Sequence, residues 1–275
     1  MIQFLAALML AAEGGHGEGH GEGEESLGGV IIHHLSNQDY AHPLLAEWEV
    51  TKAVVMMLLA ALFLIVFLGV FLRKSRIAGG APKGITNAIE SLALFVRDEI
   101  AIANMGKKYG RFFAPYLLTL FFFILTCNLM GLIPGTYTAT GNINVTAALA
   151  LMTLVMMIVA GMIVQGPIGY FKHMVPVGTP MVLAPLLIVI EVISTFVKPI
   201  ALTIRLGANM SAGHIVILVM LGFLFVFKSI LVGLFLSVPL AVAISLLEMI
   251  VAFIQAYVFT LLTALFIGMV VHPAH

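Results

Sequence analysis

An all-α, polytopic membrane protein is the fold class that this sequence predicts, and three observations predict it. Hydrophobic residues fill 61% of the 275 positions and charged residues only 9%, where soluble domains carry roughly 25% charged residues. The mean hydropathy is +1.14, and so few charges do not cover the surface of a water-soluble globule. The apolar residues also come in unbroken runs of about twenty or more, the length that a helix needs to cross a bilayer core.

The 13 basic and 13 acidic residues cancel, which removes any argument for a nucleic-acid partner. The zero hides a segregation. Residues 1–50 hold eight acids and no Lys or Arg, residues 51–111 hold nine bases and three acids, and residues 112–275 hold four bases and two acids. The chain therefore divides into an acidic N-terminal segment, 1–50, and a membrane domain, 51–275. The single cysteine, Cys127, excludes an intrachain disulfide and any Cys-based metal site, and reads as a small packed hydrophobe.

Residues 1–12 are apolar but too short to span, and they lack the basic flank of a cleaved signal peptide. The Gly/His/Glu tract from Glu13 to Glu25 reads as a flexible acidic tail, with metal binding through His16 and His20 as the sharper alternative. The first span is Ala53 to Leu72, with Trp48 just before it at interfacial depth. Arg73, Lys74, Arg76 and Lys83 follow it and mark that end as cytoplasmic by the positive-inside rule. The acidic segment is then expected outside.

Over residues 84–104, Ile85, Ile89, Leu92, Val96 and Ile100 recur at helical spacing, while Glu90, Arg97 and Asp98 lie off that stripe. This predicts an amphipathic helix on the inner membrane surface. Lys107, Lys108 and Arg111 mark the inside again. A second span runs from Phe112 to Ile133 and stops at Pro134-Gly135, before an uncharged outer loop, 135–144. A third span covers Val145 to Val164, followed by Lys172 and His173 on the inside. Two apolar stretches remain, 181–227 and 229–271. Each is about twice the length of a perpendicular span. They read either as two hairpins or as two long, tilted or bent helices, with Lys228 at the turn between them.

Seven polar residues fall inside these last stretches: Glu191, Lys198, Arg205, Asn209 and His214 in the first, and Glu248 and Gln255 in the second. Charge at membrane depth costs about 3 kcal/mol on insertion scales, so each residue calls for a reason. Glu191, Lys198 and Arg205 are seven apart and share a helix face with Ser194, Ala201, Ala208 and Ala212. A cation on a face of small side chains suits a closely approaching partner that carries an anion and slides past. His214, nine residues from Arg205, faces the opposite way. In an antiparallel pair, Gln255 falls near the depth of Arg205, and Glu248 near that of His214.

Plainer readings exist for most of these. Lys198 can snorkel to the interface. Glu191 can partner Lys198, although two turns make a poor contact. His214 can be a hydrogen-bonded core histidine, and Glu248 a satisfied buried acid. Arg205 resists such a reading, because burial does not neutralise a guanidinium.

The run Lys198-Pro199-Ile200-Ala201-Leu202-Thr203-Ile204-Arg205-Leu206, followed by Gly207-Ala208-Asn209-Met210-Ser211-Ala212-Gly213-His214, resembles the a subunit of F-type ATP synthases. Asn128-Leu129-Met130-Gly131-Leu132-Ile133-Pro134-Gly135, Pro43-Leu44, Glu248 and Gln255 also fit, so the resemblance covers about residues 40–271. It implies a subunit beside a rotating ring of c subunits, each with one membrane carboxylate, and b-type peripheral stalk subunits among its neighbours. It implies Arg205 as the essential arginine, with Ala201, Ala208 and Ala212 facing the ring. His214 and Glu248 match a pair found in either order across the family, here in the mitochondrial-type order. The resemblance favours two long tilted helices over two hairpins, hence five membrane-embedded helices plus one surface helix. With the acidic segment outside a bacterial inner membrane, the C-terminus is cytoplasmic.

The same resemblance implies two aqueous half-channels. The outer one is lined by His214, Glu248 and Gln255, and the inner one involves Glu191 and Lys198. Arg205 separates them. No cofactor is implied. A secondary ion-coupled transporter is the main rival reading, but no internal repeat of the kind that such transporters carry is visible. An intramembrane enzyme is a third, and neither an H-E-x-x-H nor a G-x-S-x-G motif is present.

Overall fold

The computed structural model describes residues 51–78, 84–133, 136–166, 169–170, 184–226, 235 and 237–271. The acidic segment with His16, His20, Pro43, Leu44 and Trp48 lies outside these residues, as do Lys83, Pro134-Gly135, Lys172, His173 and Lys228.

Every element among the described residues is helical. In chain order they are α1 (Lys52–Ala78), α2 (Ile85–Phe95), a π-helical stretch (Val96–Ile102), α3 (Ala103–Gly131), a 3-10 turn (Ala139–Gly141), α4 (Ile143–Gln165), α5 (Ala184–Val226) and α6 (Val238–Val271). Five helices are long and apolar enough to cross a membrane. Backbone polar groups in hydrocarbon must be satisfied within the chain, and helices do this internally. Side-chain hydroxyls follow the same rule. Thr119, Thr195, Thr203, Thr260 and Thr263 each donate to the carbonyl four residues earlier in their own helix, at 2.8–3.0 Å.

α1 is peripheral. Among its described side chains Ala53, Ala60 and Leu64 are buried, and the helix packs against α3 and the 3-10 turn. The amphipathic segment and the second span are separated where Gly106 leaves helical geometry at φ 71° and ψ 169°. That left-handed φ suits glycine. The chain folds back there, and Gly110 lets it pack closely: a Cβ at 110 would stand 2.6 Å from Ile102 Cα. Val96 and Ile100 of the sequence-predicted stripe are therefore buried within the protein, whereas Ile85 stays exposed. The pattern showed the stripe but not how much of it other helices would cover.

α3 and α6 form the centre. Phe121 and Phe253 meet edge to face, with centroids 5.9 Å apart. Leu117, Ile124 and Phe259 fill the space around them, and Leu202, Leu206 and Met210 of α5 complete the same core. Thr153 and Thr263 Oγ1 lie 3.4 Å apart between α4 and α6, and Gln165 Nε2 donates to the Val270 carbonyl. Gly268 brings α6 onto the α2–α3 junction, where a Cβ would sit 2.5 Å from the Asn104 carbonyl oxygen.

The long apolar stretches resolve as continuous helices. α5 has 43 residues and α6 has 34. At the helical rise α5 is about 65 Å long, against roughly 30 Å of hydrocarbon. Such a helix must tilt, bend or protrude. Pro199 lies inside α5, where it withholds a donor from the Thr195 carbonyl.

Packing at the glycines makes a prediction. Gly268→Ala and Gly110→Ala drive a methyl into backbone and should each destabilise the subunit by about 1–3 kcal/mol. Gly69→Ala meets nothing within 4 Å and should be tolerated. The check is the amount of the chain retained in membranes on heating, compared across the three variants.

Candidate functional site

Two contacts set the register of the α5–α6 pair. A Cβ at Gly213 would lie 2.6 Å from Glu248 Oε1, so the carboxylate occupies the space that a side chain at 213 would take. Fifteen residues earlier on α5, Lys198 Nζ stands 5.7 Å from the centroid of the Phe266 ring. The helices thus run antiparallel. Interpolation between these contacts puts Arg205 level with Tyr257 and Val258, and Gln255 level with Gly207. Two residues of rise, about 3 Å, then separate Gln255 from Arg205 in depth.

Burial divides the polar residues into two groups. Glu248 and Gln255 are 5% and 6% exposed and lie on the packed face of α6 with Ala252, Ala256 and Phe259. Arg205 is on the open face of α5. Ala201, Ala208, Asn209 and Ala212 are exposed beside it, and Glu191 is exposed further along. Leu202, Thr203, Leu206, Gly207 and Met210 form the opposite, buried face. Lys198 and Ser194 are partly buried. Lys198 leans onto the Phe266 ring, which gives its ammonium a cation–π contact. His214 follows Gly213 within α5, and its side chain lies outside what the structure describes.

The structure thus places the Glu248 carboxylate against the residue preceding His214, and Gln255 about half a turn from Arg205 in depth. It does not bring Glu191 and Lys198 into an ion pair. Among the described residues the ion pair on view is Arg97 with Asp98, at 2.8 Å on the exposed surface of the amphipathic segment. No acid among the described residues reaches the Arg205 guanidinium.

A second set of residues surrounds this pair, and sequence reasoning assigned it no role. Asn128, fully buried on α3, donates from Nδ2 to the Ala252 carbonyl at 3.1 Å and accepts from Thr140 Oγ1 at 2.6 Å. Ser211 Oγ donates to the Gly141 carbonyl at 2.9 Å. Gly207 lets α4 approach, where a Cβ would stand 3.3 Å from Thr146 Oγ1. A lone Asn in an apolar span and a Ser between small residues were the available signals. No group of three His, Cys, Asp or Glu that could hold a metal ion occurs among the described residues.

Comparison with known proteins gives this arrangement a context. The family model described as "ATP synthase A chain" matches residues 54–268. The ATP synthase subunit a of Myxococcus xanthus is 49% identical over 230 residues, covering 83% of this chain and 75% of that protein. The subunit a of Anaeromyxobacter dehalogenans is 46% identical, over 94% of this chain and 74% of that protein. That of Chlorobium phaeobacteroides is 44% identical, over 96% and 82%. With five apolar helices among the described residues and a family match over residues 54–268, the chain belongs to the ATP synthase A chain family, as a multi-pass membrane subunit of the machinery for ATP synthesis and proton transport.

Proposed function

We propose that this subunit provides two aqueous half-channels to the carboxylates of a c-subunit ring, and that Arg205 separates the two. The observation that carries the reading is the placement of Arg205. Its guanidinium is exposed on a membrane helix, among the small side chains Ala201, Ala208 and Ala212, with no acid of the described residues in reach. A guanidinium keeps its charge at any accessible pH. At membrane depth it needs an anion, and a partner's carboxylate passing along a smooth face supplies one.

An opposite charge within ~4–6 Å favours the ionised form of a carboxyl group. A ring carboxylate arriving at Arg205 therefore releases its proton before the arginine and binds a new one after it. Arg205 does not carry the proton and repels a hydronium, so it blocks a direct leak between the half-channels. The proton travels with the ring through nearly a full turn. At 100 mV each charge crossing yields ~2.3 kcal/mol, so several protons are needed for each ATP.

The outer half-channel uses His214, Glu248 and Gln255. Histidine and a carboxylate exchange protons with water near neutral pH, which suits a relay. The close approach of Glu248 to Gly213 supports placing it with His214 at one depth. The inner half-channel uses Glu191, with Lys198 adjusting the field near its mouth, and Asn209 offers a polar side chain one turn from Arg205. The c-ring and b-type peripheral stalk subunits are the neighbours in this reading. The acidic segment 1–50 faces outward from a bacterial inner membrane, residues 51–275 form the membrane domain, and the C-terminus is cytoplasmic.

Three outcomes test the reading in inverted membrane vesicles that carry the whole complex. Arg205→Ala should abolish ATP-driven acidification while admitting a passive proton leak; coupled pumping in that variant rejects the role. Exchanging His214 and Glu248 together should preserve more pumping than either single change, and equal losses would separate the two residues functionally. Ala208→Cys, paired with cysteines along a c-subunit helix, should yield an oxidative a–c crosslink on gels. Absence of a product at every paired position argues against a ring-facing α5.

A further inference from the structure

We infer that Asn128 is a positioning residue for the proton path, holding α6 at the depth where Glu248 meets Gly213. The inference rests on the half-channel reading above and adds a residue to which that reading assigns no part.

Asn128 is fully buried in α3, where a leucine of similar branched shape would bring no polar cost. Its amide is used in two directions. Nδ2 donates to the Ala252 carbonyl of α6, 124 positions away in sequence, and Oδ1 accepts from Thr140 in the 3-10 turn. The turn is in turn held to α5, because Ser211 Oγ donates to the carbonyl of Gly141, the neighbour of Thr140. One continuous polar bracket therefore runs from α6 through Asn128 and the turn to α5. The threonines of the spans mostly bond back to their own helices, although Thr153 and Thr263 also meet between α4 and α6. Asn128 and Ser211 bond across.

The anchor points matter. Ala252 lies one turn beyond Glu248 and three residues before Gln255. Ser211 lies two residues before Gly213. The bracket thus spans the two helices beside the contact between Glu248 and Gly213. Each residue of slip moves a helix by about 1.5 Å. A slip of that size removes the carboxylate from the space that Gly213 leaves open. A buried hydrogen bond to a single carbonyl has one register, so the bracket adds a directional constraint to the close packing at Gly213.

The test uses the whole ATP synthase in inverted vesicles with Asn128→Leu, Thr140→Val and Thr140→Ser. Assembly is read from the amount of the subunit in the purified complex. Coupling is read as ATP-driven acidification per ATP hydrolysed, from about pH 6 to about pH 9. Asn128→Leu and Thr140→Val should assemble normally, lose pumping by roughly tenfold, the equivalent of one hydrogen bond, and shift the pH optimum. Thr140→Ser keeps the hydroxyl and should retain both rate and profile. Normal pumping with an unshifted profile in Asn128→Leu overturns the inference, as does a loss that follows reduced assembly, or a Thr140→Ser no better than Thr140→Val. Arg205→Ala is run alongside. If it stays coupled, the half-channel reading fails and the inference with it. If it is uncoupled while Asn128→Leu is normal, the positioning role alone fails.

Discussion

Close approach of α5 to α6 at Gly213 is the constraint on which the arrangement of polar residues depends. A carboxylate occupies the space where a Cβ would project, 2.6 Å from Oε1. Without that gap the two helices separate by a side chain, and Glu248 moves away from the α5 backbone at Gly213. The other glycines at helix contacts work in the same way. Gly207 admits α4, Gly268 admits the backbone at Asn104, and Gly110 admits the amphipathic segment. In hydrocarbon, helices gain nothing from burying apolar surface against each other that lipid does not also supply. Close van der Waals contact and interhelical hydrogen bonds therefore carry the association, and both need small residues at the seam.

Electrostatics then separates two environments on one helical pair. Glu248 and Gln255 face inward and are buried, whereas Arg205 faces outward among alanines. A permanent cation directed away from its own protein, at the depth of a membrane span, is costly unless something outside the chain answers it. Lys198 makes a different accommodation, resting over the Phe266 ring. Two cations seven residues apart on one helix thus have different surroundings: Lys198 rests on an aromatic ring, and Arg205 lies on the open face. The polar bracket through Asn128, Thr140 and Ser211 adds directional bonds to the packing of these helices.

Much of the fold was legible in the residues. The spans and the amphipathic stripe follow from runs of apolar residues and helical spacing, which act locally; the second span ends at Gly131, two residues before the expected stop. The candidate site was legible as a set of residues: Arg205, Glu248 and Gln255 stand out because charge and amide groups are rare at membrane depth. Helical spacing also placed Arg205 on the same face as Ala201, Ala208 and Ala212. The bracket was not legible. Asn128 and Ala252 are 124 positions apart, and no local pattern reports which carbonyl a buried amide finds.

The sequence by itself determined the helical membrane class, the number of spans and which residues carry polarity into the bilayer. Hydropathy and helical period are properties of the chain taken one segment at a time. Only the tertiary structure decided that each long apolar stretch is one continuous helix, that the stripe at Val96 and Ile100 is covered by protein, and that Glu248 rests against Gly213. It also decided that Arg205 faces away from the bundle while Gln255 faces in. Those outcomes depend on how far each helix slides and rotates against another. Sliding and rotation are set by glycine gaps, a few cross-helix hydrogen bonds and aromatic contacts between residues far apart in the chain.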